Sequence, residues 1–278
     1  MNIREIVARA LVEDLGTGDV TTQALFRANV PASGTIVAEE PDGLVLAGLA
    51  VAVEVFAQVD PSLACIPSFA DGDRIPAGAT VLTVTGDGRS MLQGERVALN
   101  FLQRLSGIAT LTAKFCGLVK GFKTRIVDTR KTTPGLRDLE KWAVTLGGGW
   151  NHRHSLADGI LIKDNHLALA GGDVAGACRL ARERAPHGLK IEVEAKTLEE
   201  VRAALDGGAD IILLDNMDVP AIRKAVELIK GRAMIEVSGG VTLSNVREIA
   251  AAGPDIISVG ALTHSAPAVN LSMDIVPK

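Results

Sequence analysis

The chain begins with apolar residues that recur every three or four positions, which predicts an amphipathic helix. Asn2 and Glu5 resemble a capping box at its start. Its apolar face consists of Ile3, Ile6, Val7, Ala10 and Leu11. A Gly- and acid-rich segment, 13–22, follows and is predicted as a loop. We interpret this loop as structural, because Asp14 and Asp19 lack the later glutamate of a calcium-binding loop.

The next two regions differ in the spacing of their apolar residues. Residues 35–85 contain short apolar runs that predict strands, and two of these runs flank the turn residues Pro41, Asp42 and Gly43. Residues 95–119 predict one long helix that ends near Gly121. Its core-facing positions are Val97, Phe101, Leu105, Ile108, Thr112, Phe115 and Val119. Its polar face carries Arg96, Asn100 and Arg104.

After Gly121, strand-like runs alternate with helix-length amphipathic stretches. The strand-like runs are 125–128, 159–162, 191–194, 211–214, 233–237 and 256–259. Helices are predicted at 197–205, 219–229 and 242–252, and the segments that begin at Thr197 and Thr242 resemble each other at an offset of 45 residues. This alternation favours an α/β fold with a parallel barrel, complete or incomplete, over an open sheet. We predict a small α/β sandwich domain at 1–112 and the barrel at 113–278, with the last residues returning to the first domain.

Composition and charge exclude several classes of protein. Among 278 residues the net charge is -4 and aromatic residues make up 3%, which argues against a nucleic-acid-binding protein. The longest apolar run, 44–53, is too short to span a membrane. Cys65, Cys116 and Cys178 are isolated, and we interpret them as buried thiols in a reducing compartment. We therefore expect a cytoplasmic enzyme or binding protein.

Chemically active residues follow the predicted strands. In a parallel barrel the loops after the strands converge at one end, where active sites lie. These residues are Arg130, Lys131, Lys163, Glu194, Asp215, Ser238, Gly239, Gly240 and Gly260. The segment with His152 and Arg153 lies close by in the sequence. Clustered cations predict an anionic substrate, and Gly-containing turns before helices suit phosphate. The carboxylates suit Mg²⁺ or a developing positive charge.

Each of these features also has a structural interpretation. One Arg-Lys pair after a strand is more often a solvated turn, and Glu194 with Asp215 could pair with cations at the barrel end. His152 and His154 lack a third ligand at suitable spacing, so we do not expect a transition-metal site. His187 is predicted in a surface loop. The functional interpretation depends on the coincidence of several strand ends.

Several motifs resemble those of the quinolinate phosphoribosyltransferase family, also called nicotinate-nucleotide pyrophosphorylase (carboxylating). The resemblance covers nearly the whole chain and is most specific in DTRKTTPGLR and IKDNH. Further matching motifs are EDLGTGDVTT, GERVALNFLQRLSGIAT, GGGWNHR, LLDN, SGGVTL and SVGALTHS. Trp150, His154 and Lys196 differ from the residues that the family usually has at these positions, but none of the three replaces a motif residue.

The resemblance implies transfer of a phosphoribosyl group from phosphoribosyl pyrophosphate to quinolinate, with loss of CO₂ and a requirement for Mg²⁺. It also implies a homodimer, or a higher oligomer, with shared active sites. Arg96, from the neighbouring subunit, would bind the quinolinate carboxylates together with Arg130, His152, Arg153 and Lys163. The phosphoribosyl pyrophosphate would be bound by Lys131, Glu194, Asp215, Ser238, Gly239, Gly240 and Gly260. Catalysis would involve Lys131, Lys163, Glu194 and Asp215, the last two also holding Mg²⁺ directly or through water.

Two other functions stay open at this point. The first is a related phosphoribosyltransferase that acts on another pyridine carboxylate. The second is a catalytically silent protein that binds a phosphorylated ligand. The presence of both the cations and the carboxylates disfavours the silent protein, because mere binding of an anion needs only the cations.

Overall fold

The computed structural model describes residues 2–278. Its helices are α1 Ile3–Leu15, α2 Val20–Leu25, α3 Leu49–Val59, α4 Gly88–Leu118, α5 Arg137–Leu146, α6 Asp164–Leu169, α7 Val174–Arg184, α8 Leu198–Asp206, α9 Val219–Ile229, α10 Val246–Ala251 and α11 Ala261–His264. Its strands are β1 Pro31–Ala38, β2 Leu44–Val45, β3 Ala64–Pro67, β4 Arg74–Ile75, β5 Thr80–Asp87, β6 Arg125–Val127, β7 Ile160–Ile162, β8 Ile191–Ala195, β9 Ile211–Asp215, β10 Met234–Ser238, β11 Ile256–Ser258 and β12 Leu271–Pro277.

The chain forms two compact units. The first comprises 2–113, Thr132–Gly148 and Leu262–Lys278, and the second comprises Lys114–Lys131 and Gly149–Ala261. The division therefore differs from the single boundary at 112/113, because α5 and the end of the chain group with the first unit. No helix within residues 2–278 combines the length and hydropathy that a membrane span requires.

The first unit contains an antiparallel sheet with the strand order β12-β1-β5-β3. β12, at the end of the chain, pairs with β1 from Ala32 opposite Pro277 to Ala38 opposite Leu271. The side of β1 that carries Ile36 is fully buried, whereas alternate residues are partly exposed. The long helix α4 also buries its predicted core face, including Leu105, Ile108 and Thr112.

Two expectations for the first unit were wrong in detail. Segment 13–22 is helical at both ends, and Asp19 caps α2 by accepting a hydrogen bond from the Thr22 N–H at 3.0 Å. Region 35–85 contains the helix α3 besides its strands, because its apolar residues also fall at helical spacing. Strands do flank Gly43, as predicted; they belong to different sheets, since β1 pairs with β5 and β12 while β2 pairs with β4.

The second unit contains a parallel six-stranded sheet with the order β6-β11-β10-β9-β8-β7. All six strand-like runs predicted after Gly121 are confirmed, to within one or two residues at the ends. The capping box at Thr197 and the helix α9 are also confirmed. The last of the predicted helices starts later than expected, at Val246, because residues 242–245 form a turn in which Asn245 Oδ1 accepts from the Thr242 N–H.

Alternation along these parallel strands separates a polar face from an apolar face. Val193, Ile212, Leu214 and Val237 are almost completely buried. The residues between them in sequence point to the opposite face, since successive strand side chains alternate. Those intervening positions hold Glu192, Glu194, Leu213, Asp215, Glu236 and Ser238.

The cysteines are free thiols, as predicted, but only Cys178 is buried; Cys65 and Cys116 are half-buried. His187 is exposed, as predicted for a loop residue.

Candidate active site

A cavity of about 340 Å³ lies within the second unit at the carboxyl ends of its parallel strands. Asp215, Ser238 and Ser258, the last residues of β9, β10 and β11, line it. Lys163 follows the last residue of β7, and Lys131 belongs to the loop after β6. Because the strands are parallel, residues far apart in sequence meet at this one end.

Four lysine and arginine side chains, Arg130, Lys131, Arg153 and Lys163, line the cavity. Arg153 Nη1 donates to the Gly159 carbonyl at 2.9 Å, which fixes one end of its guanidinium group. Burial lowers the pKa of Arg153, and the charge of nearby Arg130 lowers it further. Two guanidinium groups that repel each other bind an anion favourably, because an anion between them relieves the repulsion.

Two carboxylates lie among these cations. Lys163 Nζ lies 3.1 Å from Glu194 Oε2, and the Glu194 side chain is only 9% exposed. Asp215 Oδ2 accepts from Asn216 Nδ2 at 2.9 Å. Carboxylates next to ammonium groups can receive a cation or a hydroxyl group once an anionic ligand draws the lysine away.

The turn after β10 requires glycine. Gly239 and Gly240 have φ values of 89° and 63°, in the left-handed region. A Cβ on Gly239 would collide with the side chain of Asn216, whose own backbone N–H donates to the Ser238 carbonyl at 2.9 Å. Nothing occupies the corresponding space at Gly240 within 4 Å. The turn therefore presents backbone with no side chain beside Ser238.

His152, Glu192 and Glu236 form a largely buried cluster, called here the His-Glu-Glu cluster, at the wall of the cavity. His152 Nε2 is 3.2 Å from Glu192 Oε2 and 3.4 Å from Glu236 Oε1. The backbone N–H of Arg153 donates to His152 Nδ1 at 2.8 Å, and buried Asp128 accepts from the His152 backbone N–H at 2.9 Å. Both ring nitrogens thus face protein atoms.

Burial and charge act in opposite directions on the ring of His152. Burial lowers its pKa, but the hydrogen bonds and charges of Glu192 and Glu236 outweigh burial and raise it. The Arg153 amide, in contrast, favours a lone pair on Nδ1. In both protonation states, Nε2 carries the proton that faces the carboxylates. Burial raises the pKa of Glu192 against the effect of His152.

Comparison with known proteins identifies the family. The model named "Quinolinate phosphoribosyl transferase, N-terminal domain" matches residues 19–106, and the corresponding C-terminal domain matches 108–274. The probable nicotinate-nucleotide pyrophosphorylase [carboxylating] of Bacillus subtilis (strain 168) is 41% identical over 99% of this chain and 94% of its own length. The chain belongs to the quinolinate phosphoribosyltransferase family.

Plant and structural relatives agree with this family. The mitochondrial quinolinate phosphoribosyltransferase [decarboxylating] 2b of Nicotiana tabacum is 42% identical over 99% of this chain and 82% of its own length. A crystal structure of nicotinate-nucleotide pyrophosphorylase from Ehrlichia chaffeensis superposes with a TM-score of 0.93 at 40% identity, covering 98% of each chain. The quinolinate phosphoribosyltransferase fold is thus matched in both units.

Most residues predicted for the quinolinate phosphoribosyltransferase site meet in the cavity. Those that line it are Arg130, Lys131, His152, Arg153, Lys163, Glu194, Asp215 and Ser238. Gly239, Gly240 and Gly260 follow lining strands but do not themselves line the cavity. Arg96 lies in the first unit, on α4, with 58% of its side chain exposed.

Two acidic residues of the site were missed. Glu192 and Glu236 stand two positions before Glu194 and Ser238, on the same strand face. This two-residue spacing could have revealed them. The spacing of His152 and His154 in the sequence did not indicate that ligand atoms of His152, Glu192 and Glu236 lie within 4.8 Å of one another.

Trp150 and Lys196, which differ from the family's usual residues, make local contacts. The Arg125 guanidinium carbon lies 4.3 Å from the ring centroid of Trp150, whose side chain is 54% exposed. Lys196 Nζ lies 2.8 Å from Asp164 Oδ2, and this carboxylate raises the pKa of Lys196. The pair Asp164–Lys196 and the pair Lys163–Glu194 together link the loop after β7 to the end of β8.

Proposed function

We propose that this protein transfers the phosphoribosyl group of phosphoribosyl pyrophosphate to quinolinate. CO₂ is lost, and nicotinate mononucleotide and pyrophosphate are the other products, as a step of NAD biosynthesis. Membership of the family supports the reaction class. The observation that carries the choice of substrate is the group of four lysine and arginine side chains around one cavity.

Quinolinate is a dianion, and two carboxylates on one small ring need several cations. Arg130 and Arg153 offer planar guanidinium groups that suit bidentate pairing, and Lys163 offers a point charge. The lysine is released from Glu194 when the substrate carboxylate replaces that partner. We assign His152 to the same end of the substrate, as support for Arg153 through its Nδ1 and the adjacent backbone.

Phosphoribosyl pyrophosphate would occupy the other side of the cavity. Ser238 and the turn Gly239-Gly240, whose glycines have left-handed backbone, together with Gly260 after β11, suit the 5′-phosphate, because backbone N–H groups in such turns bind phosphate well. Lys131 would neutralise pyrophosphate oxygens. Glu194 and Asp215 would face the ribose.

The donor set of this cavity fits Mg²⁺. Mg²⁺ prefers oxygen ligands and is usually held by one or two carboxylates, with water and substrate phosphates completing the shell. Glu194 and Asp215 supply such carboxylates at the ends of neighbouring strands. When bound, the ion would neutralise charge on the departing pyrophosphate.

The chain's own residues then account for two chemical steps. Attack of the pyridine nitrogen on the anomeric carbon passes through a sugar with oxocarbenium character, which the carboxylates of Glu194 and Asp215 stabilise. The ring nitrogen of the product is positively charged. That charge stabilises the electron pair left on carbon 2 when CO₂ departs, so the protein must mainly hold the carboxylate groups in place with Arg130, Arg153 and Lys163.

We also propose that the enzyme works as a homodimer or higher oligomer to which Arg96 contributes across the subunit interface. The exposure of the Arg96 side chain supports a role outside its own fold. Glu95 Oε1, 4.0 Å from its guanidinium group, is too distant to neutralise it fully.

The test is incubation of the purified protein with phosphoribosyl pyrophosphate, Mg²⁺ and a series of pyridine acids. Quinolinate should be converted to nicotinate mononucleotide, whereas nicotinate, a monoacid, should be a poor substrate. Turnover of another pyridine acid without turnover of quinolinate would contradict the assignment of substrate. Binding without any turnover would support the silent phosphate-binding alternative.

A further inference from the structure

Lys196 continues the polar face of β8 beyond the end of that strand. Glu192 and Glu194 are the polar positions of β8, and they alternate with apolar residues that are buried. Lys196 follows at the same spacing of two residues, directly after the strand. The series therefore runs from a buried carboxylate, through a carboxylate that lines the cavity, to an ammonium group at the carboxyl end of the sheet.

The backbone of Lys196 is fixed, whereas its side chain is held only by an exposed ion pair. The backbone N–H donates to Glu200 Oε2 at 2.6 Å, next to the capping box of α8. The ammonium group pairs with Asp164 Oδ2 at 2.8 Å, and the two side chains are 47% and 56% exposed. Exposed ion pairs contribute little to stability, because water screens them. Lys196 can therefore exchange Asp164 for a more highly charged anion without a change in the fold.

Three carboxylates act on the ammonium group of Lys196. Asp164 has the largest effect and raises its pKa, and the charges of Glu194 and Asp215 raise the pKa further. Glu194 and Asp215 both line the cavity. Because lysine carries its charge on a flexible four-carbon stem, Lys196 can reach an anion that binds beside these two carboxylates.

In the proposed complex, pyrophosphate is the anionic group nearest to Lys196. Arg130, Arg153 and Lys163 are assigned to quinolinate, so Lys131 is the one described lining cation that is assigned to pyrophosphate. The 5′-phosphate is assigned to the turns after β10 and β11, and β9 separates β10 from β8. Pyrophosphate is attached to the anomeric carbon, which the carboxylates of the cavity face. A group of two phosphates at this position has room for a second cation.

We propose that Lys196 is a further binding residue for phosphoribosyl pyrophosphate and pairs with its pyrophosphate group, an inference that rests on the proposed function. Before the substrate binds, Asp164 holds the ammonium group beside the cavity. When the substrate binds, pyrophosphate oxygens replace Asp164 as the partner of Lys196, because they carry more charge than a single carboxylate. Asp164 thus competes with the substrate for Lys196.

The deciding experiment compares K196M, K196R and D164N in steady-state kinetics. K196M should raise the KM for phosphoribosyl pyrophosphate about tenfold and change kcat and the KM for quinolinate by less than about twofold, because it removes an interaction made before and during the reaction. K196R keeps the charge and should stay close to the wild-type protein. D164N frees the lysine and should leave this KM unchanged or lower it. K190M is the matched control, because Lys190 is exposed and precedes the amino end of the same strand.

D164N separates binding of the substrate from bracing of the loop after β7. If Lys196 acted only through its pair with Asp164, K196M and D164N would raise the KM for phosphoribosyl pyrophosphate alike. That result, or an unchanged KM in K196M, would overturn the proposal.

A binding measurement gives a readout that does not require turnover. In calorimetry with inorganic pyrophosphate and Mg²⁺, the wild-type protein, K190M and D164N should each bind about tenfold more tightly than K196M. Equal affinity of the wild-type protein and K196M, or no binding by the wild-type protein, would overturn the role of Lys196. If the wild-type protein converts no quinolinate while K196M still binds pyrophosphate more weakly, the proposed function fails and the contact of Lys196 with pyrophosphate is supported.

Discussion

Arg96 and Arg104 lie on the predicted polar face of α4 but have different surroundings. Arg96 is exposed, whereas Arg104 contacts the buried carboxylate of Glu140, so a substitution of Glu140 tests the difference. Glu140, on α5, is completely buried in the first unit. Arg104 donates to its Oε1 from Nε at 3.2 Å and from Nη2 at 2.8 Å. Thr133 donates to the same carboxylate from its backbone N–H at 3.0 Å and from its hydroxyl at 2.7 Å. Arg104 also donates to the Ala266 carbonyl at 3.0 Å.

The substitution Glu140→Ala removes all four of these acceptor contacts at once. It leaves the Arg104 guanidinium, whose side chain is 28% exposed, without its buried counter-ion. Breaking a buried ion pair by removing one partner costs about 3–5 kcal/mol. We expect the free energy of unfolding of the first unit to fall by about that amount. Arg104→Met with Glu140→Leu, which removes both charges, should recover most of the loss.

Urea unfolding, followed by tryptophan fluorescence, measures this effect. Trp142 lies on α5, two residues from Glu140, whereas Trp150 belongs to the second unit. A W150F background therefore makes the fluorescence report on the first unit alone. Arg96→Ala, on the same helix but exposed, is the matched control and should leave stability unchanged. An unfolding free energy for Glu140→Ala within about 0.5 kcal/mol of the background protein would refute the reasoning.

Three further predictions concern the site. Gly239→Ala should raise the KM for phosphoribosyl pyrophosphate at least about tenfold. The left-handed backbone costs a residue with a Cβ about 1–2 kcal/mol, and the added Cβ would also meet the side chain of Asn216. An unchanged KM would contradict the role of this turn. Lys163→Met should lower kcat/KM for quinolinate by about 10–100-fold, because a charged hydrogen bond to the substrate is lost. The free energy of unfolding in urea should change by less than about 1 kcal/mol, because the pair of Lys163 with Glu194 is partly exposed. Equal losses of stability and activity would indicate a structural role. Arg96→Ala and Arg130→Ala proteins, each inactive alone, should regain activity when mixed under subunit exchange; heterodimers that form without activity would argue against a shared site.

The parallel sheet was predictable because each of its strands is a short apolar run bounded by turn residues. The first unit was harder to predict. The segment of α3 is rich in valine, which favours strands intrinsically, yet Leu49, Ala52, Val55 and Phe56 bury one helical face. Tertiary burial decided the structure of this segment, and no local pattern distinguishes the two outcomes.

Some residues of the site were also easier to predict from the sequence than others. Arg130, Lys163, Glu194 and Asp215 were predictable from strand ends, because parallel strands bring their carboxyl ends together. Glu236 lies inside a strand, between Ile235 and Val237, and the composition of this strand is typical of a protein core. Only its spacing of two residues from Ser238 places it on the polar face.

The role of Arg104 shows a different limit. Its helical position is equivalent to those of Arg96 and Asn100, on the same face of α4. What distinguishes it is contact with Glu140, 36 residues later in the chain. Long-range pairing of this kind is set by the fold and has no local signature.

The central claim is that phosphoribosyl transfer creates the ring charge that permits loss of CO₂. Quinolinate labelled with ¹⁴C in its 2-carboxylate tests it directly, by release of ¹⁴CO₂ from the purified protein with Mg²⁺. We predict release only when phosphoribosyl pyrophosphate is present, in amounts equal to the pyrophosphate and the nicotinate mononucleotide formed. Release of ¹⁴CO₂ without phosphoribosyl pyrophosphate, or formation of pyrophosphate with the label retained at the end of the reaction, would contradict the account.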